Sequence, residues 1–199
     1  MEKVESRRSP LEREQLRANE SKWVELIGSL TEGSFYEVGG GERPVFQYMD
    51  DEALAKSLAD RMTIIDCMDE SEVQCERSWE THSIVAKGYI EADMRTPLLI
   101  EPKQAVFIKD ALCWFDTDQA FKNILSMTEQ NGIIFIIDAK TVIDDFLGSC
   151  SSIAELVVID EYIYPYCAFC GEGSPSDCSK IGDCSVFAPY SYIAIRKLR

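Results

Sequence analysis

Glu37-Val38-Gly39-Gly40-Gly41 ends a short apolar run with an acid and three glycines, and Arg43 and Pro44 follow. Gly39 and Gly41 can take positive φ and carry no Cβ, so a ligand can come close to the backbone there. Three more acids, Asp66, Asp93 and Asp110, each follow a short apolar run. A second group is Cys167, Cys170, Cys178 and Cys184, spaced Cys-x2-Cys-x7-Cys-x5-Cys and holding half of the eight cysteines. Four thiolates this close can form a tetrahedral zinc site, and Gly171, Gly173, Pro175 and Gly182 allow the tight turns such a knuckle needs. Two other readings stand beside zinc: Cys167 and Cys170 as a redox pair, or a group of free thiols. Disulfides require an oxidising compartment, which a polar N-terminus without a signal core disfavours. His82 is the one histidine, so no multi-histidine metal centre is available, and its polar surroundings read as surface.

The elements that position these residues alternate. Phe35 to Val38 reads as a strand, and Pro44 suits the first turn of a helix running from Val45 to about Arg61. Met62 to Asp66 is a second strand, Glu70 to about Val85 a second helix, and Gly88 to Asp93 a third strand. A fourth strand centres on Ala105 to Ile108 and ends near Asp110. The helix Asp118 to Thr128 follows, closed by Asn131-Gly132, before the apolar strand Ile133 to Ile137. A helix from Val142 to about Cys150 precedes strands at Leu156 to Tyr164 and Tyr190 to Arg196. Alternation implies right-handed crossovers and a parallel sheet, and a final pair with no helix between them implies an antiparallel hairpin. In such a sheet the ligand crevice lies at the carboxyl ends of the strands, beside the glycine turn.

Residues 1–33 read as a charged tail and an amphipathic helix, with Trp23, Ile27 and Leu30 at helical spacing. Residues 34–199 read as one domain, with the cysteine-rich loop at 165–189. At 199 residues the chain suits one domain with a substantial core. Its formal charge of −15, with 35 acidic against 20 basic residues, argues against nucleic acid as partner. No apolar run reaches the ~18 to 20 residues that span a bilayer. The expectation is a cytoplasmic protein without a membrane partner.

The order of elements resembles the class I S-adenosylmethionine-dependent methyltransferases, whose Rossmann-like sheet ends in an antiparallel hairpin. Glu37-Val38-Gly39-Gly40-Gly41 looks like that family's first motif. Asp66 stands where the family carries the acid that binds the ribose hydroxyls. Asp93, followed by Met94, is similar to the acid that meets the adenine amino group. Asp110-Ala111-Leu112-Cys113-Trp114-Phe115 resembles the segment bordering methionine and substrate. The resemblance implies cofactor contacts at Glu37, Gly39, Gly41, Asp66, Asp93 and Met94, and makes Asp110 the candidate general base. Physical chemistry agrees: a carboxylate can accept two hydrogen bonds from a diol, and Met94, Cys67 and Met68 offer apolar surface to a purine.

Two residues depart from the family. Arg43 replaces a small residue of the first motif, and Cys113 stands where many relatives have histidine. The expected fold is α/β, a doubly wound, mostly parallel seven-stranded sheet. The expected function is methyl transfer from S-adenosylmethionine to a small-molecule acceptor, cationic acceptors suiting the acidic surface. The second reading is an inactive relative serving as a scaffold for protein partners, its cysteine loop stabilised by zinc. A dinucleotide-dependent oxidoreductase fits less well, because the glycine turn lacks the full Gly-x-Gly-x-x-Gly.

Overall fold

The computed structural model describes residues 28, 32–40, 44–48, 52–68, 84–112, 118–167 and 188–199. Seven strands form one sheet in the order β3-β2-β1-β4-β5-β7-β6. They are β1 (Phe35–Val38), β2 (Met62–Asp66), β3 (Gly88–Glu91), β4 (Lys103–Lys109), β5 (Thr128–Ala139), β6 (Leu156–Cys167) and β7 (Pro189–Lys197). The helical elements bounded within the described residues are a 3-10 turn (Val45–Tyr48), α1 (Glu52–Ala59), α2 (Asp118–Met127) and α3 (Lys140–Cys150). Strands β1 to β5 pair in parallel, whereas β7 is antiparallel to both β5 and β6. The expected doubly wound sheet and its terminal hairpin are both present.

Alternation of side chains along each strand builds two cores. Phe35, Ile64, Phe107 and Phe135 face Leu58 of α1. Val38, Ile65, Ile108 and Ile136 face Phe121 and Ile124 of α2 and Ile143 and Phe146 of α3. Covering both faces accounts for the continuous apolar character of β4 and β5. Phe121 meets Phe146 edge-on, their ring centres 5.2 Å apart, which joins α2 to α3.

Several boundaries differ from the sequence expectation. Within the helix expected over Val45 to Arg61, Val45–Tyr48 is a 3-10 turn and Glu52–Ala59 is α1, which stops two residues short of Arg61. Asn131 and Gly132 do not close a helix. α2 stops at Met127, and both residues lie inside β5. Asn131 has φ 63°, and the pairing of β5 with β4 shifts register between Lys103 and Ala105. The left-handed residue thus serves a strand irregularity rather than a helix cap. α2 ends instead on two side chains: Thr128 Oγ1 donates to Ile124 O at 2.7 Å, and Lys197 Nζ donates to Leu125 O and Thr128 O, each at 2.7 Å. β3 stops at Glu91, and Ile84, Val85 and Ala86 are in no regular element, so Val85 does not end a helix. The rest of that expected helix, Trp23, Ile27, Leu30 and His82 lie outside the described residues.

β6 is an edge strand, and Val157, Val158, Ile159, Tyr162 and Ile163 on it are exposed. Asp160, Glu161 and a register shift between Val158 and Asp160 interrupt that apolar edge, a means of discouraging edge-to-edge pairing.

Candidate functional site

The chain winds from β1 outward through β2 to β3, then returns to β4 on the other side of β1. The crossovers leave β1 in opposite directions, which opens a crevice at the carboxyl ends of β1 and β4. Gly39, the first residue past β1, donates its N–H to Ile65 O at 2.9 Å. Its φ is +75°, and a Cβ there would lie 2.3 Å from the Cβ of Ala111. A Cβ on Gly40 would lie 2.5 Å from the Glu37 carboxyl carbon. Contacts within the protein therefore require glycine at position 39, and at position 40 a Cβ would push the Glu37 carboxylate off its bond to Val45, before any ligand is considered. Glu37 is buried, and both its oxygens lie within hydrogen-bonding distance of the Val45 N–H, at 2.8 and 3.0 Å. A carboxylate here satisfies an otherwise orphaned donor and ties the 3-10 turn back to β1. Gly41 and Arg43 lie outside the described residues.

Across β2 and β3 the two acids come to the same side of the crevice, and neighbouring residues orient each of them. Asp66 Oδ1 accepts the Met68 N–H at 3.1 Å, and the Asp66 carbonyl accepts the Ala92 N–H at 2.7 Å. Tyr89 from β3 donates its hydroxyl to Met68 O at 2.7 Å, which fixes the turn after Asp66. Partial desolvation, and then the charge of Asp66, holds the Cys67 thiol above its ordinary value, so it stays protonated at neutral pH. Asp93 is engaged by its own turn. Arg95 Nε donates to its two oxygens at 2.9 and 3.1 Å, and Nη2 donates to Oδ2 at 2.8 Å. These bonds, and the backbone bond from the Arg95 N–H at 2.9 Å, hold the Asp93 carboxyl below the usual carboxylate range. Met94 is buried against the α2 side of the sheet, beside Val38 and Ile65.

On the other side, Asp110 follows β4 with φ 51°, exposed, its carboxylate 3.2 Å from Lys109 Nζ. Its N–H donates to Ile137 O at 2.9 Å, which brings it level with the end of β5. There stands Asp138, which sequence reasoning missed. It is buried, and its Oδ1 accepts the Ala139 N–H at 2.8 Å. The signal was available: an acid directly after Ile133 to Ile137, the same pattern that pointed to Asp66. Asn123 is a second omission, a buried amide within the apolar stripe of Phe121, Ile124 and Leu125.

The cysteine group is placed only in part. Cys167 ends β6 and is fully buried. Cys170, Cys178 and Cys184, the other ligands expected for zinc, lie outside the described residues, as does Cys113. Among the described residues, no three His, Cys, Asp or Glu side chains gather in a way that could hold a metal.

No protein-family model and no curated protein matches this sequence. Solved structures do match. The N-methyltransferase NodS from Bradyrhizobium japonicum WM9 matches at a TM-score of 0.55 and 14% identity, over 96% of this chain and 99% of its own. The chain has the fold of the class I S-adenosylmethionine-dependent methyltransferases. Magnesium protoporphyrin IX methyltransferase (ChlM) from Synechocystis PCC 6803, solved with bound S-adenosylmethionine, matches at 0.55 and 11% identity, covering 94% of this chain and 80% of its own. The [4+2]-cyclase SpnF also matches, at 0.58 and 14% identity over 89% and 80% of the two chains. The class I fold thus carries more than one kind of reaction, and the residues of the crevice must decide between them.

Proposed function

We propose that this protein binds S-adenosylmethionine in the crevice beside Gly39 and transfers its methyl group to a small-molecule acceptor. One observation carries the reading: the Gly39 turn, Asp66 and the Asp93-Met94 loop stand side by side at the carboxyl ends of the first three strands. These residues fit an adenosyl group. Asp66 offers a carboxylate to a ribose diol. Asp93, held ionised by Arg95, offers an acceptor to the adenine amine. Cys67 and Met68 supply apolar surface to the purine, and Met94, buried in the core, backs the loop that carries Asp93. That ChlM was solved with bound S-adenosylmethionine on the same fold supports this assignment.

Bound there, S-adenosylmethionine supplies a sulfonium methyl that is already a strong electrophile. The chain's task is then to hold an acceptor in line with that methyl and keep water away. The rim formed by the ends of β4 and β5 lies on the acceptor side. Its carboxylates, Asp110 and Asp138, favour an acceptor that is cationic or has a proton to lose. Asp110 is the exposed one and can take that proton. The test is turnover of methyl-labelled S-adenosylmethionine with a panel of small amines and alcohols, read as labelled product. Acceptor-dependent transfer is expected, falling roughly 100-fold in Asp110→Asn, the lower end of what a positioned base contributes. Equal rates in the two proteins would remove Asp110 from the chemistry, and no transfer to any acceptor would count against the methyltransferase reading.

A further inference from the structure

The loop that follows β3 contains Asp93 and Met94, and its own bonds, from Arg95 and Thr96 to Asp93, close the turn locally without tying it to the rest of the fold. A second fixed point is on α2. Asn123 Nδ2 donates to Met94 O at 2.8 Å and to Thr96 O at 2.7 Å. Its Oδ1 accepts the Leu98 N–H at 3.2 Å and Gln119 Nε2 at 3.0 Å. A primary amide has two donor hydrogens and two acceptor lone pairs, and here all four are used. The orientation of the amide is thereby determined. A flipped amide would set its oxygen against two carbonyls and its NH2 against two donors.

From this geometry we infer that Asn123 is the positioning residue of the adenine loop. It presets the Asp93-Met94 backbone so that an adenosyl ligand meets a formed acceptor instead of having to order one. The inference rests on the adenosyl reading of the crevice and extends it to a residue that touches no ligand. Three backbone groups of one loop converge on a single side chain, which spans 25 to 29 positions of sequence. The inner side of the loop is therefore pinned at Met94, Thr96 and Leu98. On its outer side, the Thr96 N–H and Oγ1 both donate to Asp93 O, at 3.0 and 2.8 Å. Asp93 thus lies between a turn closed by Thr96 and a strut from α2. Without the strut, the loop keeps its local turn but loses its distance from β2, and with it the alignment of Asp93 with Asp66. Gln119, one helical turn before Asn123, holds the amide oxygen in place and belongs to the same device.

A residue that only stabilised the fold would weaken every ligand alike. A residue that sets the adenine acceptor should weaken discrimination at the purine. The experiment is calorimetric titration with S-adenosylhomocysteine and with its deaminated analogue, in which an oxo group replaces the 6-amino group. The proteins are the wild type, Asn123→Leu and Gln119→Ala, each checked for a cooperative thermal transition. Wild type should prefer the amino form. The preference should fall about 5- to 10-fold in Asn123→Leu, the equivalent of one well-made hydrogen bond, and by a smaller factor in Gln119→Ala. A preference unchanged in folded Asn123→Leu would overturn the inference and leave the cofactor reading intact. Should Asn123→Leu fail to fold, the half-buried Gln119→Ala decides in its place, and an unchanged preference there overturns the inference. Wild type that binds neither compound overturns both the inference and the reading on which it stands.

Discussion

Gly39 links backbone conformation to the crevice most tightly. At φ +75° an L side chain is strained, and the site its Cβ would take lies 2.3 Å from the Cβ of Ala111. Gly39→Ala should therefore cost about 2 to 4 kcal/mol, from left-handed strain together with overpacking. Urea denaturation reads this directly as a lower midpoint with an unchanged slope, and an unmoved midpoint would contradict the geometry. At this scale the sequence placed residues better than it revealed what they touch. Gly39, Asp66 and Asp110 stand at strand ends, as their types and spacing suggest, and Asp93 lies two residues past the end of β3. Their partners were hidden. Glu37 reaches across the turn to the Val45 N–H, Arg95 forks onto Asp93, and Asn123 grips a loop in a distant part of the chain. No hydrophobic periodicity encodes such contacts: the Arg95 fork is set by one local turn, and the Asn123 grip by how α2 packs beside the loop.

At the scale of elements, strand positions were legible and element ends less so. β2 and the centre of β4 are where their apolar runs place them. Asn131-Gly132 misled because left-handed residues suit both a helix terminus and a strand irregularity, and only the register with β4 separates the two. The packing of α3 carries a pH prediction. Cys150, the last residue of α3, is fully buried. Burial first, and the charge of Asp118 second, pushes its thiol from 9.0 up to about 12. In the unfolded chain the thiol ionises near its ordinary value, whereas the folded chain keeps the proton. The contribution of Cys150 to stability is therefore complete below pH 9.0 and is lost as pH rises toward about 12. Wild type should accordingly lose up to about 4 kcal/mol more than Cys150→Ala across that window. Denaturant midpoints of the two proteins at a series of alkaline pH values test this. Parallel curves would show that Cys150 ionises in the folded protein as it does in the unfolded one.

At the scale of the whole molecule, the mostly parallel sheet and the antiparallel ending were legible because alternation of strand and helix leaves few topologies open. That topology puts the glycine turn, the Asp66 turn, the Asp93-Met94 loop and the Asp110-Asp138 rim at one edge of one sheet. Charge acts at this scale as well. A net charge of −15 attracts small cations and repels polyanions. No helix among the described residues is long and apolar enough to cross a membrane. The central claim is that this edge holds an adenosyl cofactor, and the most direct measurement is calorimetric titration of the full chain with S-adenosylhomocysteine, beside Asp66→Ala. The account predicts micromolar binding by the wild type and an affinity weaker by about 100-fold in the variant, the cost of losing two charge-assisted hydrogen bonds to the ribose. Binding that is undetectable at millimolar ligand, or that is as tight in Asp66→Ala as in the wild type, would contradict it.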